Sequence, residues 1–153
     1  NLNAPGQIVI SGSRDNIFSA VNKVKDFGCR MGKVLDVAGA YHSRLMTGAQ
    51  AKLAQELESF DITIPNFPVI SNVDAKSIVD IDSIRASLER QVTGSVRWNE
   101  SMEFILDSNP EAIFIEFSPK PVLAGLMNRI RREVEVLTVS GPESLEEVTI
   151  ALS

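Results

Sequence analysis

Short apolar runs alternate along the chain with longer stretches whose apolar residues recur at helical spacing. "QIVIS" (7–11) is a β-branched run, and Ser13 after it suits a helix N-cap. Ile17, Val21 and Val24 then follow at intervals of four and three, which predicts a helix ending at Gly28, where a missing Cβ permits a left-handed C-cap. "KVLDV" (33–37) reads as a second strand, so the opening segment is expected to be a β-α-β unit.

The alternation continues to the end. A helix is expected over 43–59, with Met46, Ala49, Leu53 and Leu57 on one stripe, and Pro65 and Pro68 stop it. "PVISNV" (68–73) predicts a strand and "DIDSIRASLERQV" (80–92) a helix, with a turn at Thr93, Gly94 and Ser95. Further helices are expected over 97–106, 120–130 and 142–152, and strands at "AIFIEF" (112–117) and "VEVLTV" (134–139). Trp98, Met102 and Ile105 share one helical face and read as core. This pattern is α/β, with a sheet that is parallel for the most part.

A length of 153 residues with 44% hydrophobic content allows one compact domain with a real core. No apolar run is long enough to cross a bilayer, and no signal-like segment opens the chain, so a cytoplasmic protein without membrane contact is expected. The net charge of -5 argues against nucleic-acid binding, which needs a surplus of Lys and Arg on one face. The dense basic run Arg129, Arg131 and Arg132 suits a helix C-terminus. A single cysteine, Cys29, rules out an internal disulfide, and one histidine with scattered carboxylates gives no metal-ligand spacing, so no metal site is expected.

That histidine, His42, lies in "AGAYHSRLM" (38–46), on a loop expected to leave a strand and enter a helix, where α/β sheets carry their chemistry. An imidazole there can act as a base if one ring nitrogen donates to a fixed acceptor and the other is free to accept a proton. Asn72, after "PVIS", and Ser118, after "AIFIEF", are placed in the same way. No nucleophile elbow of the G-x-S-x-G kind is present, and Cys29, just beyond a helix C-terminus, is poorly placed to become a thiolate.

Five blocks, "NLNAPGQIVISG", "AGAYHSRLM", "FPVISNVDA", "RQVTGSVRWNESM" and "FIEFSPKPVLAGLMNRI", occur in the order and at the intervals found in the malonyl-CoA:acyl carrier protein transacylases of fatty acid synthesis. The chain resembles that family from Asn1 to about Ile130. Polyketide synthase acyltransferase domains are similar, and a non-catalytic module of the same fold is the remaining alternative. The resemblance implies that His42 activates a serine, and later the phosphopantetheine thiol of acyl carrier protein, through an acyl-serine intermediate. It implies that Gln91 offers its main-chain carbonyl to the histidine, that Asn1 and Asn3 border the acyl-CoA cleft, and that Tyr41 marks malonyl selectivity.

The family's serine elbow, oxyanion element and carboxylate-binding arginine lie upstream of the block resembling "NLNAPGQ". The resemblance therefore implies a C-terminal half, inactive alone, whose partners are malonyl-CoA, acyl carrier protein and the N-terminal half. No cofactor is implied beyond the phosphopantetheine that the carrier brings. Arg44, Arg90 and Arg97 match no carboxylate-binding position, and "SPKP" (118–121) departs from the family's glycine-rich G-P-G-[KR]. The implied fold is the C-terminal part of an α/β-hydrolase-like subdomain (38–153) with a β-α-β portion of a ferredoxin-like one (1–37).

Overall fold

A computed structural model describes residues 1–152. The chain forms two compact units, one made of Asn1 and Val9–Arg97, the other of Leu2–Ile8 and the chain from Trp98 onward.

In the first unit, α1 (Arg14–Lys23) runs into a 3-10 turn, Val24–Phe27, that ends at Gly28 with φ 75°. The N–H groups of Gly28 and Cys29 return to the carbonyls of Lys25 and Val24, so the expected glycine stop is present. Ser13 precedes α1, but its side chain makes no capping bond. The expected strand at 33–37 does not form. Val34, Leu35 and Val37 are exposed, and no strand pairs with them among the described residues. β-branched residues favour a strand only where a neighbouring strand and a packed face receive them, and nothing here supplies either.

A 3-10 turn, Arg44–Met46, leads into α2 (Thr47–Ser59). The short strands β3 (Val69–Ile70) and β4 (Ser77–Ile78) pair antiparallel, and α3 (Ile81–Arg90) follows, capped by Asp80, whose carboxylate accepts from the Ser83 N–H at 2.7 Å. Arg85 of α3 donates to the last carbonyls of α2, at Leu57 and, at 2.8 Å, to that of Phe60 beyond its end. A cation at a helix C-terminus satisfies carbonyls that have no partner within the helix.

In the second unit, β1 (Leu2–Ala4) and β2 (Gln7–Ile8) make a hairpin around Pro5 and Gly6, with Gly6 at φ 74°. Pro followed by a positive-φ Gly is the type II turn signature, and it shortens the expected 7–11 strand by pairing its first residues back onto 2–4. A β-α-β unit forms later, from β5 (Phe114–Phe117), α5 (Val122–Ile130) and β6 (Val136–Val139), with the strands parallel and Phe114 opposite Val136. α4 (Trp98–Ser108) precedes it and α6 (Pro142–Ala151) follows. Met102, Leu106 and Met127 form the core of this unit, with Trp98 and Ile105 packed against it, as their spacing predicted.

The α/β class holds, but the strands form small two-stranded sheets rather than one continuous parallel sheet, and only β5–β6 is parallel. Residue periodicity reports strands, not which strands meet. No helix among the described residues is long and apolar enough to cross a membrane.

Candidate functional site

The first unit brings His42 against the end of α3. His42 has φ 58°, in the left-handed region that few non-glycine residues occupy, with histidine among the better tolerated. Ser43 stabilises this corner: its hydroxyl donates to the Ala40 carbonyl at 2.6 Å and accepts from the Leu45 N–H at 3.2 Å. The imidazole is half-buried. Its Nδ1 lies 2.9 Å from the carbonyl oxygen of Gln91 and 3.2 Å from that of Gly94.

Two carbonyl acceptors at one ring nitrogen decide the tautomer. A carbonyl cannot donate, so Nδ1 carries the hydrogen and Nε2 keeps its lone pair. Among the described residues no hydroxyl or thiol lies within hydrogen-bond reach of Nε2, and Cys29 is exposed elsewhere in the unit. The site presents an oriented base without a nucleophile of its own.

The carbonyls are themselves fixed. Gln91 caps the C-terminus of α3, and its N–H bonds to the Ser87 carbonyl at 3.0 Å. Gly94 donates to the Arg90 carbonyl at 2.8 Å, closing the turn. A Cβ at Gly94 would sit 2.6 Å from Val73 Cγ2 and 2.8 Å from the Arg90 carbonyl oxygen, so the turn needs glycine for close approach. On its outer side the turn is tied to α2: Thr93 donates to Gln50 Oε1 at 2.7 Å, and Gln50 donates to Glu89 at 3.2 Å.

Beside this turn, Asp74 gathers several donors. It accepts from Ser71 at 3.2 Å, Ser87 at 3.1 Å and Arg90 at 2.7 Å on each carboxylate oxygen. Ser71 and Ser87 are buried and also touch each other through their hydroxyls. Desolvation pushes the Asp74 carboxyl up, but the Ser87 bond, the Arg90 charge and the Ser71 bond together outweigh it and hold the pKa below the ordinary value.

Of the residues singled out by sequence, His42 and Gln91 come together. Tyr41 is exposed, its ring lying over Gly39. Asn1 is half-buried and its carbonyl accepts from the Val9 N–H at 3.0 Å, while Asn3 lies in β1 of the other unit. Arg90 and Arg97 are engaged with Asp74, the latter through its Nη1 to the Asp74 carbonyl at 3.1 Å. No group of three His, Cys, Asp or Glu that could hold a metal occurs among the described residues. Sequence reasoning missed Gly94 as an acceptor and Asp74 altogether. Gly94 was visible only as a turn residue, and a main-chain acceptor leaves no side-chain signature.

Residues 1–145 match the model of the acyl transferase domain family. The chain is 38% identical over 146 residues to the malonyl CoA-acyl carrier protein transacylase of Bacillus subtilis, covering 95% of this chain and 46% of that protein. The Staphylococcus aureus protein of the same name is 33% identical over 148 residues, covering 97% and 47%. Among solved structures it is similar to a malonyl-transacylase in complex with its type II polyketide synthase acyl-carrier protein, with TM-score 0.91 and 34% identity over 99% of this chain and 48% of that one. MCAT from Streptococcus pneumoniae gives TM-score 0.91 and 29% identity, covering 99% and 49%. The chain thus spans about half the length of the relatives it matches. With its matched segment extending over nearly all 153 residues, the chain belongs to the acyl transferase domain family.

Proposed function

We propose that this chain is the C-terminal half of a malonyl-CoA:acyl carrier protein transacylase and that His42 is its general base. The observation that carries this reading is the pair of carbonyls at Nδ1, which leaves Nε2 as the proton acceptor of a half-buried imidazole.

The reaction runs in two halves. Nε2 takes the proton of a serine hydroxyl supplied by polypeptide outside these residues, and the serine oxygen attacks the thioester carbonyl of malonyl-CoA. The C–S bond breaks, the imidazolium returns its proton to the departing CoA sulfur, and an acyl-serine ester remains. Nε2 next takes the proton of the carrier protein's phosphopantetheine thiol. The sulfur attacks the ester, and the serine oxygen leaves with the proton from His42. A carbonyl partner fixes the imidazole but stabilises its cationic form less than a buried carboxylate does, which suits a group that must release the proton twice per cycle.

In the same reading Asn1 and Asn3 line the approach of the pantetheine, Tyr41 favours the malonyl group, and no cofactor is bound beyond the carrier's own arm. Residues 1–37 belong to a ferredoxin-like subdomain and 38–153 to an α/β-hydrolase-like one, in a cytoplasmic enzyme. The isolated chain is inactive because it lacks the serine.

The test uses the complete enzyme carrying this chain, with malonyl-CoA and carrier protein. His42→Asn suits it, since asparagine tolerates the left-handed backbone at φ 58° while removing the base. Transfer is expected to fall about 10²- to 10⁴-fold. Undiminished transfer, or no acyl adduct on the complete wild-type enzyme, overturns the reading. One structural relative carries a polyketide carrier protein, so fatty acid and polyketide carriers offered in parallel decide the pathway by which is acylated faster.

A further inference from the structure

We infer that Asp74 is a positioning residue for the His42 imidazole, acting by locking the turn at the end of α3 that carries both carbonyl acceptors. The inference rests on His42 being the base, and it concerns a side chain that never touches the reacting groups.

The turn Arg90–Gly94 has two ends, and the segment around Asp74 holds both. At one end Asp74 binds the Arg90 guanidinium through both carboxylate oxygens at 2.7 Å, and Arg90 immediately precedes Gln91. At the other end Val73, next to Asp74, lies against Gly94 so closely that a methyl group there would not fit. The 71–75 segment is in turn rigid. The Ser71 hydroxyl accepts from the N–H groups of Val73 and Asp74, the Ala75 N–H returns to the Ser71 carbonyl at 2.8 Å, and Arg97 reaches the Asn72 and Asp74 carbonyls.

An exposed ion pair alone contributes little, because water competes for both charges. The Asp74–Arg90 pair differs in that the same carboxylate also accepts from Ser87, a buried residue one turn before Gln91. The Ser87 carbonyl takes the Gln91 N–H. Asp74 thus reaches the α3 terminus by two routes, one through Arg90 and one through Ser87. Losing its carboxylate frees Arg90, removes the acceptor that both the Ser71 and Ser87 hydroxyls donate to, and lets the turn drift. A displacement of about 1 Å is enough to lose one carbonyl contact to Nδ1, and with a single acceptor left the ring orientation and the Nδ1–H tautomer are held less firmly.

The experiment places Asp74→Ala and Asp74→Asn in the complete transacylase, with ¹⁵N-labelled histidine and His42→Asn for assignment. In Asp74→Ala, kcat per acylatable site is expected to fall about 10- to 100-fold with KM for malonyl-CoA little changed. The ¹⁵N shifts of His42 are expected to move from an Nδ1–H tautomer toward an averaged pair. Asp74→Asn, which keeps an acceptor for the serine hydroxyls, is expected to recover part of both signals. A purely structural role would lower the melting temperature without altering kcat per site or the nitrogen shifts, and that result overturns the inference. If Asp74→Ala does not fold, Asp74→Asn and Arg90→Gln carry the same readouts. Full activity in His42→Asn defeats the base assignment itself, whereas an inactive His42→Asn beside unaffected Asp74 variants defeats only this inference.

Discussion

Glu116, buried at the heart of β5, accepts a hydrogen bond from the main-chain N–H of Ala124 at 2.8 Å in the first turn of α5. Its other oxygen accepts from Val122 and Leu123 at 3.0 Å each. Because the N-cap, Pro121, has no N–H, one carboxylate satisfies all three N–H groups that this helix start leaves without intrahelical partners, and it places a negative charge at the positive end of the helix dipole. The glycine-poor loop "SPKP" is bridged in this way, with Ser118 donating to the Lys120 carbonyl at 2.8 Å.

Glu116→Gln is expected to destabilise the second unit by about 2 kcal/mol, because an amide NH₂ then faces N–H donors. Thermal unfolding of the variant beside the parent checks this, and an unchanged melting temperature would contradict it.

The same carboxylate predicts an acid-side loss of stability. Burial pushes its pKa up, but the three N–H donors more than offset this and hold it below the ordinary glutamate value. A depressed folded pKa contributes stability that is fully present above the unfolded value and lost as pH falls through the folded one. Denaturant midpoints are expected to fall below about pH 4.5, and the slope there should flatten in Glu116→Gln. Identical pH profiles for parent and variant would exclude the assignment.

Gly94→Ala forces a methyl group into Val73 Cγ2 and the Arg90 carbonyl oxygen, and the latter is backbone that cannot rotate away. The overpacking is expected to cost about 1–3 kcal/mol. Because the Gly94 carbonyl faces His42 Nδ1, transfer activity in the complete enzyme should drop even at temperatures where the variant stays folded. A fully active, fully stable Gly94→Ala would show that the turn is not constrained as described.

The segment 27–37 leaves Phe27, Met31, Val34, Leu35 and Val37 exposed, and in the other unit Phe117 and Ile150 are exposed as well. Apolar surface of this kind drives association. The 153-residue chain alone is expected to self-associate with rising concentration, and co-expression with the remaining half of a transacylase should keep it soluble. Sedimentation as a single monomer at all concentrations would refute this.

Arg129, Arg131 and Arg132 are exposed at and just beyond the end of α5. If this patch steers an acidic carrier protein, reversing its charge raises KM for the carrier and weakens the salt dependence of transfer. An unchanged KM excludes the role.

How much was legible in the sequence differs between elements. α3 was readable because apolar residues in 80–92 repeat at helical spacing, and the structure forms the helix over Ile81–Arg90, with Asp80 as a cap that the sequence reading had not singled out. The face of α3 that is most buried, however, belongs to Ser87, whose reason for burial is Asp74, thirteen residues earlier. Strand 33–37 was misread because its residue types carry β propensity, whereas a strand exists only by pairing. At the site, His42 was visible as the single imidazole on a loop, and Gln91 through the resemblance alone.

By itself the sequence determined the alternation of helices and short strands, the glycine stop at Gly28, the core spacing of Trp98, Met102 and Ile105, and the single imidazole, His42, as the candidate base. These are local properties, set by period and by side-chain chemistry over a few residues. Only the tertiary structure decided that the Gly94 carbonyl joins that of Gln91 at His42 Nδ1, that Gly94 must lack a side chain, and that Asp74 ties the turn in place. Those relations join residues 13 to 52 positions apart, and a hydrogen bond to the main chain can be accepted by any residue type, so no pattern along the chain announces it.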